Sequence, residues 1–123
     1  MEAKTILLVD DDFTLREMYG ERLKTEGFQI IQASDGEEAL LMAKKNKPNV
    51  ILLDIMMPKI NGFDVLKQIK ADDELKNIPV LILTALIQEV DKIQGQKLGA
   101  DGYIIKSETM PGEVIEKIKK VIK

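Results

Sequence analysis

The sequence predicts an α/β fold: a doubly wound, five-stranded parallel sheet with helices on both faces. Three observations predict it. Short runs of continuous apolar residues occur five times, which is how strands buried on both faces read. Between those runs, apolar residues recur at helical spacing. Gly27, Pro48 and Gly99 stand at joints between the two kinds of segment. Strand and helix alternating in this way indicate βαβ units, whose crossovers are right-handed.

The first strand is residues 6–9. Leu15, Met18, Tyr19 and Leu23 then follow helical spacing with Arg22 among them, and Gly27 is placed to stop that helix. Residues 28–31 read as the second strand. Ser34-Asp35-Gly36 opens a second helix carrying Ala39, Leu40 and Ala43, and Pro48 closes the connection to the third strand, residues 50–53. A loop with Pro58 and Asn61-Gly62 leads to a third helix with Phe63, Leu66 and Ile69 on one side. Pro79 sits at the edge of the fourth strand, residues 80–83, where a missing N–H is tolerable. The fourth helix carries Val90, Ile93 and Leu98 and ends at Gly99. Gly95 inside it costs about 1 kcal/mol relative to Ala, so tight packing or local mobility is expected there. The fifth strand is residues 103–105. Thr109 is expected to cap the last helix, with Pro111 in its first turn and Val114, Ile115, Ile118, Val121 and Ile122 as its buried stripe. Lys117, Lys119, Lys120 and Lys123 crowd its C-terminal half, where the helix dipole favours cations.

Composition narrows the function. A chain of 123 residues is expected to be one domain, residues 1–123, with a real core. Hydrophobic residues are 45% and charged residues 32% of the total, an ordinary globular balance. No apolar run approaches the ~20 residues that span a bilayer, and no signal peptide precedes the first strand, so a cytoplasmic location away from membranes is expected. There is no Cys and no His, which excludes thiol chemistry, thiolate metal sites and an imidazole base from this chain. The net charge is −3 and no block of Lys or Arg forms a phosphate-binding stripe, so direct nucleic-acid binding is not expected.

Four strands run straight into a residue that phosphoryl chemistry uses. The first ends in Asp10-Asp11-Asp12, the third in Asp54, the fourth in Thr84 and the fifth in Lys106. In a parallel sheet these ends share one edge, where open α/β sheets bind ligands. Each residue alone has a plainer reading: Asp54 as a turn former, Thr84 as a helix cap, Lys106 as a solvated strand end, Tyr103 as core. Together they differ. Adjacent carboxylates repel unless something positive compensates them. An oxygen-only cluster suits a hard cation such as Mg²⁺. Cation, ammonium and hydroxyl are what a transferring phosphoryl group needs around its oxygens, with the separate carboxylate, Asp54, as acceptor.

On these residues the chain resembles a receiver domain of two-component response regulators, similar in length to the stand-alone chemotaxis type. The resemblance rests on Asp10-Asp11, Asp54, Met57-Pro58 with Gly62, Thr84-Ala85 and Lys106, in that order, and covers essentially the whole chain. It implies a flavodoxin-like sheet of strand order 2-1-3-4-5. Asp54 would accept a phosphoryl group from a histidine kinase, a phosphotransfer protein or a small phosphodonor. Asp11 would bind Mg²⁺ directly, Asp10 mainly through water, and the Met56 carbonyl and Asp54 would complete the protein ligands. Lys106 would pair with Asp54 and then with the phosphoryl group. Thr84 and Tyr103 would be the switch, altering the surface of the fourth helix, fifth strand and fifth helix for a downstream protein. The resemblance implies a protein that catalyses only its own phosphorylation and dephosphorylation, monomeric before phosphorylation and able to dimerise after it. With no linker after the last helix, no attached output domain is expected. Receivers usually carry Pro after the Lys, with a cis bond between them, and this chain has Ser107. A cis bond to a non-proline costs about 2.5–4 kcal/mol, so the isomer at Lys106–Ser107 stays open at this stage.

Two other readings compete. Residues 6–14 also fit the nucleophile motif of haloacid-dehalogenase-like phosphatases, with Asp10 as nucleophile and Asp12 as acid/base. That reading leaves Asp54 and the Met57-Pro58 loop without a role. A pseudo-receiver acting only through protein contacts is the second, although the groups that such proteins lack are present here.

Overall fold

Five parallel strands pair in the order β2-β1-β3-β4-β5. In the computed structural model, which describes residues 3–122, they are β1 Thr5–Val9, β2 Gln29–Ala33, β3 Val50–Leu53, β4 Val80–Thr84 and β5 Gly102–Ile105. The helices between and after them are α1 Phe13–Thr25, α2 Gly36–Asn46, α3 Gly62–Ala71, α4 Glu89–Lys97 and α5 Pro111–Val121, with a short 3₁₀ turn at Lys106–Glu108. The expected flavodoxin-like order and alternation are both present.

Side chains along a strand alternate between faces, and the two cores divide accordingly. Leu7, Val9, Ile51, Leu53, Val80 and Ile82 point to one face with Ala39 and Ala43 of α2 and Val65, Leu66 and Ile69 of α3. Ile6, Leu8, Val50, Leu52, Leu81, Leu83 and Ile104 point to the other with Tyr19 and Leu23 of α1 and Val114, Ile115 and Ile118 of α5. Every residue of β3 is buried, as a central strand covered on both sides must be.

The joints follow local chemistry. Asp12, Asp35 and Asn61 cap α1, α2 and α3 by accepting the backbone N–H groups of Leu15, Glu38 and Asp64. Gly27 and Gly99 leave α1 and α4 at φ of 96° and 101°, in the region that glycine occupies without strain. Three expectations need correction. β2 starts and ends later than residues 28–31, because its pairing with β1 runs on to Val9–Ala33 while Phe28 packs beside the second core. The cap of α5 is Met110, not Thr109: the 3₁₀ turn delays the helix, and the Glu113 carboxylate reaches back to accept the Met110 N–H. In α4 the apolar Val90 and Ile93 are exposed, and the buried contact is Gly95, where a Cβ would meet Ile82 Cδ1 at 2.7 Å. Of the two readings of Gly95, tight packing is the one observed. The stripe of α5 is buried at Val114, Ile115 and Ile118 and only partly at Val121 and Ile122.

Candidate functional site

The sheet register brings the expected residues to one edge. Val9 pairs with Leu53, Leu53 with Ile82 and Thr84 with Ile105, so Asp10, Asp54, Thr84 and Lys106 stand at adjacent strand ends. The ladder continues into the first two. The Asp10 N–H donates to the Ala33 carbonyl at 3.1 Å and the Asp54 N–H to the Val9 carbonyl at 3.0 Å. Both carboxylates are therefore carried on rigid backbone. Asp10 is 3% and Asp54 4% exposed, so neither is a solvated strand end.

Lys106 compensates them. Its Nζ donates to Asp10 Oδ2 at 2.7 Å and to Asp54 Oδ2 at 3.2 Å, with its stem largely covered. Burial alone would push the ammonium pKa down. The hydrogen bond to Asp10 and the charges of Asp54 and Asp10 outweigh burial and hold it above its ordinary value. For Asp54, burial pushes the carboxyl up; the Lys106 charge opposes that, Asp10 adds to it, and the group stays above the usual carboxylate range. Lys106 reaches both oxygens across a trans bond to Ser107, since no peptide is cis among the described residues.

Oxygen donors converge beside the ammonium. Asp10, Asp11 and Asp54 each offer a carboxylate oxygen, all within 4.8 Å of one another. Asp11 is exposed at the mouth. The donor set is wholly hard oxygen, which fits a small divalent cation and not a soft metal. On the far side, the Met56 N–H donates to Asp54 Oδ1 at 3.3 Å, and the loop closes through Gly62 N–H to the Ile55 carbonyl at 2.9 Å.

The hydroxyl side of the site is buried. Thr84 is fully covered, and its Oγ1 accepts the Leu86 N–H at 3.4 Å. It does not cap α4, which begins five residues later. Tyr103 is half-buried against the first core, and its hydroxyl donates to the Leu86 carbonyl at 3.0 Å.

The family model of the response regulator receiver domain matches residues 6–119. The chain belongs to that family. This receiver is 41% identical over 120 residues to the alkaline phosphatase synthesis transcriptional regulatory protein PhoP of Bacillus subtilis, a match covering 98% of this chain and 49% of that protein. It is 38% identical over 123 residues to the probable transcriptional regulator ycf27 of Porphyridium aerugineum, covering 100% of this chain and 50% of the relative. The receiver thus spans about half the length of the curated relatives it matches. Among solved structures it is similar to the chemotaxis protein CheY4 of Vibrio cholerae, with a TM-score of 0.91, 30% identity and coverage of 98% of this chain and 100% of that one. A putative response regulator from Chloroflexus aurantiacus gives a TM-score of 0.91 at 34% identity, with 98% of both chains covered.

As a two-component receiver the chain gives its acidic run a divided role. The Asp12 carboxylate is spent on capping α1, and both Asp10 oxygens are engaged, Oδ1 by the Asp12 N–H at 2.9 Å and Oδ2 by Lys106. With Asp12 bound to its own helix and the receiver family matched over residues 6–119, the phosphatase reading, with Asp10 as nucleophile and Asp12 as acid/base, is left without support. Sequence reasoning missed two contributors. Arg16 Nη1 donates to the Asp10 carbonyl at 2.7 Å, a contact with a backbone atom that no motif records. Gly36 of α2 abuts the loop after Asp54, where a Cβ would lie 2.6 Å from the Ile60 carbonyl oxygen. A glycine opening a helix three residues before an apolar face was the only signal of that approach. Among the described residues, no helix is long and apolar enough to cross a membrane.

Proposed function

We propose that this receiver is a phosphoacceptor switch in which Asp54 is the residue modified. The carrying observation is the Lys106 ammonium set between Asp10 and Asp54 at the covered edge of the sheet. Asp54 Oδ attacks the phosphorus of a phosphohistidine or a small phosphodonor, a P–O bond forms, and the donor leaves with the electron pair of its old bond. The aspartyl phosphate places more negative charge beside Lys106, whose contact with Asp54 is replaced by one to a phosphoryl oxygen. Thr84 supplies a hydroxyl to another oxygen of the group.

Asp10, Asp11, Asp54 and the Met56 carbonyl are the groups proposed to hold Mg²⁺. Bound there, the cation would neutralise charge on the transferring group. Asp11, open to solvent, suits direct ligation. Asp10, with both oxygens engaged by hydrogen bonds, suits contact through water. The readout is proposed to be the α4–β5–α5 surface, contacted by a downstream protein, with the chain catalysing only its own phosphorylation and dephosphorylation in the cytoplasm.

The test is incubation with acetyl phosphate and Mg²⁺, borohydride trapping of the acyl phosphate and peptide mass analysis. Label at Asp54, lost in Asp54→Asn, is expected. Label at Asp10 would overturn the assignment, and no label with either acetyl phosphate or a histidine kinase would favour a pseudo-receiver.

A further inference from the structure

Arg16 lies outside the residues assigned to the site, yet it makes one of the shortest contacts in it. Its guanidinium is held on three sides. Nη1 donates to the Asp10 carbonyl at 2.7 Å, Nε donates to Gln32 Oε1 at 3.2 Å, and the group lies over the Phe13 ring, 5.6 Å from its centroid. Gln32 belongs to the edge strand β2. Its amide nitrogen faces Gly20 of α1, where a Cβ would stand 3.5 Å away, so α1 lies against the side chain that holds the guanidinium.

The carbonyl that Arg16 grips belongs to the peptide joining Asp10 to Asp11. A peptide is planar, so fixing its oxygen fixes the plane and the starting direction of the next residue. Asp11 is exposed, and its carboxylate oxygen lies within 4.8 Å of oxygens of Asp10 and Asp54. A planar fork delivers such directional donors, where an ammonium would supply a point charge. We propose that Arg16, oriented by Gln32, is the positioning residue of the acidic pair and sets the affinity of the site for a divalent cation. This inference rests on the proposed role of Asp10, Asp11 and Asp54 as the cation site.

Two effects of removing Arg16 have opposite signs, which makes the proposal testable. Electrostatics alone would raise cation affinity when a neighbouring positive charge is lost. Loss of positioning lowers it, by roughly 10-fold to 100-fold for groups that orient ligands. Mg²⁺ affinity is measured by isothermal titration calorimetry on wild type, Arg16→Met, Arg16→Lys, Gln32→Leu and Asp11→Asn, each at a temperature where circular dichroism reports a fully folded chain. Arg16→Met is expected to bind at least about tenfold more weakly. Arg16→Lys, which keeps the charge and loses the fork, is expected to stay weakened, and Gln32→Leu to weaken binding less than Arg16→Met. Unchanged or tighter binding in Arg16→Met, or wild-type affinity in Arg16→Lys, overturns the proposal. Should Arg16→Met fail to fold, Arg16→Lys and Gln32→Leu carry the same test. Asp11→Asn separates the two levels: if it binds Mg²⁺ as wild type does, the cation-site reading itself fails, and if it alone loses binding, only the role of Arg16 fails.

Discussion

Gly62 opens α3 directly against the backbone that carries the phosphoacceptor. A Cβ built there would lie 2.2 Å from the Asp54 carbonyl oxygen, 2.6 Å from Ile55 Cα and 2.9 Å from the Asp54 carbonyl carbon. All three are main-chain atoms, so no side chain can rotate away. Relief requires α3 and the end of β3 to separate by about 1 Å, which also stretches the Gly62 N–H to Ile55 carbonyl bond of 2.9 Å. Overpacking in a tight site costs typically 1–3 kcal/mol. With backbone on the receiving side, Gly62→Ala is expected near the top of that range, about 3 kcal/mol, or a fall of roughly 10 °C in Tm. The same 1 Å misplacement falls on Asp54, and displacement of a reacting group on that scale costs about 100-fold in rate.

Urea titration followed by far-ultraviolet circular dichroism reads the first effect, and intact mass after acetyl phosphate reads the second. Gly27→Ala supplies the contrast. Gly27 sits at φ +96° with nothing within 4 Å of a built Cβ. That variant is expected to lose about 1–2 kcal/mol from backbone strain and to be phosphorylated at the wild-type rate. A Gly62→Ala protein within about 0.5 kcal/mol of wild type, phosphorylated as fast, would overturn the argument that close approach of α3 fixes Asp54.

Two further outcomes follow from the same geometry. Lys106→Ala leaves Asp10 and Asp54 buried side by side without a cation, and is expected to lower metal-free stability by about 3 kcal/mol, since breaking a buried pair costs roughly 3–5. A loss under about 1 kcal/mol in urea titration, the scale of an exposed pair, would mean the bridge counts for little. The lifetime of the aspartyl phosphate is expected to be long, because Met56 and Leu86, two residues past Asp54 and Thr84 respectively, are apolar and hold no attacking water by hydrogen bonding. Met56→Asn with Leu86→Glu is expected to shorten it about tenfold or more, equivalent to ~1.4 kcal/mol in the barrier, and an unchanged decay rate at equal Mg²⁺ would count against the idea.

What the sequence made legible follows from which interactions leave a pattern in residue types. The central strands are continuous apolar runs because both faces are covered, so Val50–Leu53 is readable to the residue. The edge strand β2 is covered less fully, and Gln29 and Gln32 interrupt its run, so its bounds shift. Asp10, Asp54, Thr84 and Lys106 were readable because each stands at the C-terminal end of a strand, on one edge of the sheet. The contacts of Arg16 and Tyr103 were not, because both donate to backbone carbonyls, of Asp10 and Leu86, which every residue type possesses. In α4, helical spacing finds the apolar residues but not their direction. Gly95 takes the sheet-facing position against Ile82, and Val90 and Ile93 are left facing solvent.

The contact of Tyr103 with Leu86 bears on how the site would be linked to its surface. Leu86 donates its N–H to the Thr84 hydroxyl and accepts the Tyr103 hydroxyl through its carbonyl, at 3.4 Å and 3.0 Å. One residue therefore joins the hydroxyl proposed to bind a phosphoryl oxygen to the aromatic side chain on β5. The ring of Tyr103 also packs at the position where Gly95 lacks a side chain, 3.4 Å from a built Cβ. A hydrogen bond is worth about 0.5–1.5 kcal/mol net, so drawing Thr84 toward a phosphoryl group competes with bonds of comparable size. A Thr84 side chain that turns toward a phosphoryl oxygen carries Oγ1 away from the Leu86 N–H, and a shift of Leu86 alters its bond to Tyr103. The ring then has Gly95 of α4 as its neighbour, with Val90 and Ile93 exposed on that helix. The proposed switch needs no long relay: one loop residue with a donor on one side and an acceptor on the other spans the distance from chemistry to surface.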